Sequence, residues 1–216
     1  MRQSLQNIHK EINGSFARNV LYQNPVLTGA LGICTIVAAA TTLKNAWILT
    51  QMFALITFPV CMISSGCFSR MPRYLRAAVV PLTAAILYTL AIALLRSYYG
   101  AWSTLFRFYL PLMAVNSLML SRAVRYAPRQ RLLVTAIDTI TCIIGFGLAA
   151  CLTGGIRELF QSGKLTGLPV HMAGVPFFGF IVLGFIAAAV RGLRLHRERK
   201  RAAARRVARR KEGARP

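Results

Sequence analysis

Six apolar stretches, at 25–43, 46–65, 77–95, 103–121, 132–153 and 173–190, constrain this chain more than any other feature. Four contain no charged residue, one holds a single arginine (Arg107) and one a single carboxylate (Asp138). A helix needs about 20 predominantly apolar residues to cross a hydrocarbon core about 30 Å thick. The stretches are continuous rather than alternating, which excludes a β-barrel. They predict an all-α integral membrane protein with six transmembrane helices.

Charge then orients the spans. The 216 residues carry 27 Lys and Arg against 5 Asp and Glu, a formal charge of +22, although only 15% of residues are charged. Such a balance can mark a nucleic-acid binder, but here the cations sit between the spans and at the ends. If both termini are cytoplasmic, Lys44, Arg96, Arg107, Arg157 and Lys164 lie outside and the other 22 inside. That asymmetry predicts cytoplasmic N- and C-termini, and no nucleic-acid role. Tyr98, Tyr99 and Trp102 match an aromatic belt at the outer face.

Three parts follow. Residues 1–20 are polar and lack the apolar centre of a cleavable signal peptide; Leu5, Ile8, Ile12 and Phe16 are spaced as in a short amphipathic surface helix. Residues 21–190 form the six-helix membrane domain. Residues 191–216, with 12 cations, are a basic cytoplasmic tail. Anionic lipid is its expected ligand, with a partner subunit as the second reading.

The spans divide into two sets of three, and the first of each set is flawed. Span one opens with Asn24-Pro25 and holds Gly29 and Gly32 before Cys34; span four holds Pro111, then Asn116 and Ser117. Proline removes a backbone donor and clashes with the preceding turn, so both helices are expected to be kinked or broken. Broken helices at matching places point to two inverted repeats with a site between them.

Ionisable groups inside a membrane are functional candidates, and Asp138 and Glu158 are the only acidic residues between 12 and 197. Each also has a structural reading: Asp138 pairing with Arg131 or capping a helix, Glu158 pairing with Arg157 or Lys164. Arg107 is expected to snorkel. Five cysteines without a C-x-x-C pair argue against a disulfide framework or zinc site. His9, His171 and His196 have no metal-ligand spacing, and no phosphate loop, nucleophile elbow or dinucleotide fingerprint is present. The chain is not a catalyst by itself.

Asn24-Pro25-Val26-Leu27, Leu31-Gly32-Ile33-Cys34, Leu110-Pro111-Leu112, Val115-Asn116-Ser117, Asp138, Gly145-Phe146-Gly147 and Ile156-Arg157-Glu158 occur in that order. Together they resemble the six-helix membrane subunits of the Rnf and Nqr redox-driven ion pumps over about residues 20–190. Pro176-Phe177-Phe178 and the basic tail look most like the E-type subunit of Rnf, equivalent to the D-type subunit of Nqr. The resemblance implies a translocase subunit that pairs with an oppositely oriented homologue (Rnf A-like) beside further Rnf/Nqr-type subunits. It also implies a shared [2Fe–2S] cluster, linked to ferredoxin/NAD or quinone chemistry and to Na⁺ or H⁺ transport. Carried over residue by residue, Cys34 is a cluster ligand. Ser117 stands where the family has the second cysteine, a harder ligand than thiolate. Asp138, Glu158 and Asn116 become ion-path or structural polar groups. The competing reading is a cluster-less paralogue, a membrane scaffold or transporter-like subunit, with Cys34 an ordinary small residue.

Overall fold

In the computed structural model, residues 25–99, 109–163 and 171–212 are described, and all their regular structure is helical. The predicted N-terminal helix, Arg107 and Lys164 lie outside these residues. The elements in chain order are α1 (Pro25–Gly29), α2 (Ile33–Ala39), α3 (Leu43–Gly66) and α4 (Arg73–Tyr99). A 3₁₀ turn (Leu110–Met113) leads to α5 (Ser117–Ser121), followed by a π turn (Arg122–Tyr126) and a second 3₁₀ turn (Ala127–Arg129). Then come α6 (Leu132–Gln161), a 3₁₀ turn (His171–Gly174) and α7 (Pro176–Glu212).

Four helices are long and apolar enough to cross a membrane: α3, α4, α6 and the Pro176–Leu193 part of α7. They match predicted spans two, three, five and six. Half of the apolar window of α3 and 44% of that of α6 are buried inside the chain, against 22% for α4 and 17% for α7. The central pair is therefore α3 and α6, with α4 and α7 turned towards what surrounds the protein. The intimacy of the central pair depends on glycine. A Cβ on Gly147 would lie 2.7 Å from Thr50 Cγ2, and one on Gly154 would lie 2.8 Å from the Thr42 carbonyl oxygen. Phe53 and Phe146 stack in the same interface, ring centroids 4.2 Å apart. Thr42 starts α3 by accepting the Asn45 N–H through its side chain, an ordinary N-cap. Pro59 and Pro81 lie inside α3 and α4 without ending them, as membrane helices tolerate.

Spans one and four are interrupted as expected, but the prolines do not make the breaks. Pro25 is the first residue of α1, where its missing N–H costs nothing and its fixed φ suits a helix start. The chain breaks further on, at Ala30 (φ 54°) and Gly32 (φ 76°). Pro111 likewise lies at the start of a 3₁₀ turn, and the second break falls at Asn116, in extended conformation just before α5. Among the described residues, each interrupted span is thus two short pieces beside the four continuous spans.

The tail also has a definite form. α7 runs unbroken from its apolar part through the basic residues to Glu212. At a rise of 1.5 Å per residue, the part of the helix beyond Leu193 extends about 28 Å.

Candidate functional site at the crossing of the two broken helices

The two breaks meet. Gly32 donates its backbone N–H to Ser117 Oγ over 2.9 Å, across 85 positions of sequence. Beside this bond, Thr35 Oγ1 donates to the Gly32 carbonyl at 2.8 Å, and Asn116 Nδ2 donates to Thr35 Oγ1 at 3.2 Å. Asn116 Oδ1 accepts the Leu118 N–H at 2.9 Å, capping α5. Both ends of the Asn116 amide are therefore engaged, Oδ1 capping α5 and Nδ2 joining it to α2, and the side chain is buried. Gly32 has to be glycine: its φ is left-handed, and a Cβ there would stand 3.0 Å from Asn116 Oδ1.

Cys34 and Ser117 take matching places, the second residue of α2 and the first of α5. Both are exposed. Both residues are therefore accessible beside the crossing, with Ser117 Oγ turned to the Gly32 nitrogen. The remaining cysteines are elsewhere: Cys61 and Cys67 belong to α3 and its C-terminal cap, Cys142 and Cys151 to α6. Among the described residues, no group of three or more His, Cys, Asp or Glu side chains could hold a metal ion.

Asp138 is not at this crossing. On α6 it accepts from Arg122 Nη1, with both carboxylate oxygens 3.0 Å from that nitrogen. Its ion-pair partner is thus Arg122 of the π turn rather than Arg131. Arg122 also lies over the Tyr126 ring, 5.4 Å from its centre. The π turn that presents it is a rare conformation, commonest at functional positions. Close by, Ser64 donates to the Ala123 carbonyl, joining the same turn to α3.

The end of α6 carries the group that sequence reasoning missed. Arg157, placed by charge counting among the outer-side cations, is completely buried. All five of its N–H donors are used on carbonyl oxygens. Nη1 donates to Val37 at 2.7 Å and Ala40 at 3.1 Å, Nε to Ala173 at 2.9 Å, and Nη2 to Gly174 at 2.9 Å and Val175 at 3.2 Å. Glu158, the next residue, accepts the Leu43 N–H through Oε2 at 2.7 Å, so it pairs with a helix N-terminus and not with Arg157. Gln161 Nε2 adds a bond to the Thr41 carbonyl at 3.3 Å. A cation therefore holds the carbonyl end of α2 and a carboxylate the N–H end of α3, as the helix dipoles favour. The available signal was Arg157 itself, an arginine close to the end of an apolar span.

The match to known proteins agrees with this architecture. Residues 13–193 match the family model described as Rnf-Nqr subunit, membrane protein. The D-type subunit of the Na(+)-translocating NADH-quinone reductase of Serratia proteamaculans is 30% identical over 161 residues, covering 74% of this chain and 77% of the relative. Its namesake from Photorhabdus laumondii is 31% identical over 165 residues, with the same coverage. That of Psychromonas ingrahamii is 27% identical over 160 residues, 74% of this chain and 76% of the relative. With the matched region spanning both breaks, Asp138 and the Arg157-Glu158 turn, this chain belongs to the Rnf-Nqr family of membrane subunits.

Proposed function

We propose that this chain is a non-catalytic membrane subunit of a Na⁺-translocating redox complex in a bacterial inner membrane. The supporting observation is the crossing itself: two interrupted helices are joined by the Gly32–Ser117 bond, and Cys34 and Ser117 beside it are both exposed. An exposed half-site of this kind is completed by another chain, which fits an oppositely oriented homologous subunit as partner and an inverted-repeat plan for the two halves. The relatives are subunits of complexes named for sodium translocation and quinone reduction, and the reading assigns this chain to a complex of that class. Both termini are read as cytoplasmic, with the first turns of α7 beyond residue 193 among anionic headgroups.

A [2Fe–2S] cluster shared with the partner would take Cys34 as its ligand here, with Ser117 Oγ in the second place. The donors fit such a cluster incompletely. Four thiolates are its usual set; this crossing offers one thiolate and one hydroxyl, and that hydroxyl already accepts the Gly32 N–H. No electron-transfer step is therefore derived through it. The same bond favours the second reading, in which the crossing keeps its architecture and the chain serves as a scaffold or transporter-like subunit. Asp138, held by Arg122 within the bundle, is the proposed ion-path group in either reading.

Iron and acid-labile sulfide in the intact purified complex, with electron paramagnetic resonance after reduction, test the assignment. A [2Fe–2S] signal lost in Cys34→Ala supports the redox reading. A complex that pumps sodium while Cys34→Ala leaves its iron content and spectrum unchanged assigns this chain to the scaffold reading.

A further inference from the structure

We propose that Arg157 is the positioning residue of the crossing: by holding the carbonyl end of α2 it fixes Gly32 and Cys34 opposite Ser117. The inference rests on reading the Gly32–Ser117 crossing as the functional site.

The argument begins with the size of α2. A helix of seven residues cannot be stable alone, and α2 is preceded by a break with two left-handed residues. Its position comes from its buried face, Ile36, Val37 and Ala39, and its tilt from the polar contacts at its two ends. The N-terminal end has one bond across the crossing, Gly32 N–H to Ser117 Oγ, with the Thr35–Asn116 contact beside it. The C-terminal end is gripped more firmly. Arg157 takes the Val37 and Ala40 carbonyls, while Ile36 accepts the Ala40 N–H and Ala39 the Thr41 N–H.

Arg157 also reaches the Ala173, Gly174 and Val175 carbonyls, just before α7. Two chain segments distant from each other in sequence therefore converge on one guanidinium that is saturated and fully buried. Its surroundings are shaped for it: a Cβ on Gly179 of α7 would lie 3.0 Å from Arg157 Nη1 and 3.1 Å from the Val37 carbonyl oxygen. From Val37 back to Gly32 is about 8 Å along a helix, so a tilt of α2 at one end is felt at the other. Lysine, with three donors and no planar fork, can keep the charge but not all five bonds.

Hydrogen exchange on the full chain in nanodiscs tests this, because it reads the crossing whether or not any cofactor is present. In Arg157→Ala, exchange is expected to rise about tenfold or more at the Gly32 amide and in peptides covering 110–121, which Arg157 does not touch. Arg157→Lys should restore part of that protection. Gly179→Ala, which disturbs the guanidinium from the α7 side, should reproduce the change more weakly, and it keeps the test open should Arg157→Ala fail to fold. A rise confined to 37–43 and 171–175 in these variants would overturn the proposal, since Arg157 would then be only a local cap. An absent cluster with exchange transmitted to the crossing would remove the redox reading and leave the positioning role intact.

Discussion

Ser117 Oγ lies 2.9 Å from the Gly32 nitrogen, so the hydroxyl proposed as a second cluster ligand is also the acceptor that ties the two broken helices together. The serine has a structural task here that a thiol would perform less well, because sulfur is a weak acceptor. Ser117→Ala removes the acceptor from a partly buried N–H and should cost about 1 kcal/mol of stability, measured by denaturant unfolding in mixed micelles. Ser117→Cys should cost no more than that. If the crossing accepts a cluster, the cysteine variant should also raise iron and acid-labile sulfide in the purified complex above the parent. Unchanged iron in a correctly assembled complex would count against a cluster at this position.

Gly32→Ala should be more damaging than Ser117→Ala. It places a side chain at φ 76° and 3.0 Å from Asn116 Oδ1, in a site where Asn116 cannot move without losing its cap on α5. Strained left-handed backbone costs about 1–3 kcal/mol per residue. Gly184→Ala is the control: a Cβ there meets nothing within 4 Å. Removing a glycine from the interior of α7 should be neutral or stabilising by up to about 1 kcal/mol. Thermal unfolding of the two variants in the same detergent should move in opposite directions, or the second should not move at all.

The Arg122–Asp138 pair gives a third prediction. The side chains are 20% and 9% exposed, so removing either partner leaves the other charge poorly solvated. Arg122→Gln and Asp138→Asn should each destabilise by about 1–3 kcal/mol, below the range for breaking a fully buried pair because both side chains are only part-buried. The double variant should lose less than the sum of the two. A stability effect alone would make the pair structural. If Asp138 also lies on the ion path, sodium uptake by proteoliposomes of the complex should fall in Asp138→Asn while membrane levels of the chain are maintained. Uptake equal to the parent per assembled complex would remove Asp138 from the path.

The sequence carried the spans and the meeting of the breaks further than it carried the chemistry at their ends. Uninterrupted apolar runs specify α3, α4, α6 and α7 because a bilayer allows few other structures, and the glycines and polar pair at Gly32 and Asn116-Ser117 marked the breaks themselves. Pro25 and Pro111 were misleading, since a proline that opens a helix looks in sequence like one that breaks it. The partner of Asp138 lies 16 positions back, well beyond the nearer Arg131, because a π turn redirects Arg122. Arg157 was illegible for a more general reason. Its five acceptors are backbone carbonyls from 37–40 and 173–175, and backbone groups leave no trace in residue identity.

The contact between α3 and α6 supplies the last prediction, a contrast between two glycines of one helix. A Cβ at Gly147 would meet Thr50 Cγ2 at 2.7 Å, and one at Gly154 would meet the Thr42 carbonyl oxygen at 2.8 Å and Ala46 Cβ at 3.0 Å. The first obstacle is the end of a side chain, able to rotate once it gives up its 2.8 Å bond to the Ala46 carbonyl. The second is backbone at the N-cap of α3, where the Thr42 carbonyl also accepts the Ala46 N–H at 2.9 Å. Relief there requires the two helices to separate just where Glu158 holds the Leu43 N–H. Gly154→Ala should therefore cost about 2–3 kcal/mol, the upper part of the range for overpacking, and Gly147→Ala about 1 kcal/mol. Unfolding midpoints in mixed micelles would rank them, and Gly154→Ala should in addition speed exchange of the Leu43 amide. Equal costs, or a larger one at Gly147, would mean that the helices part as easily as a threonine turns.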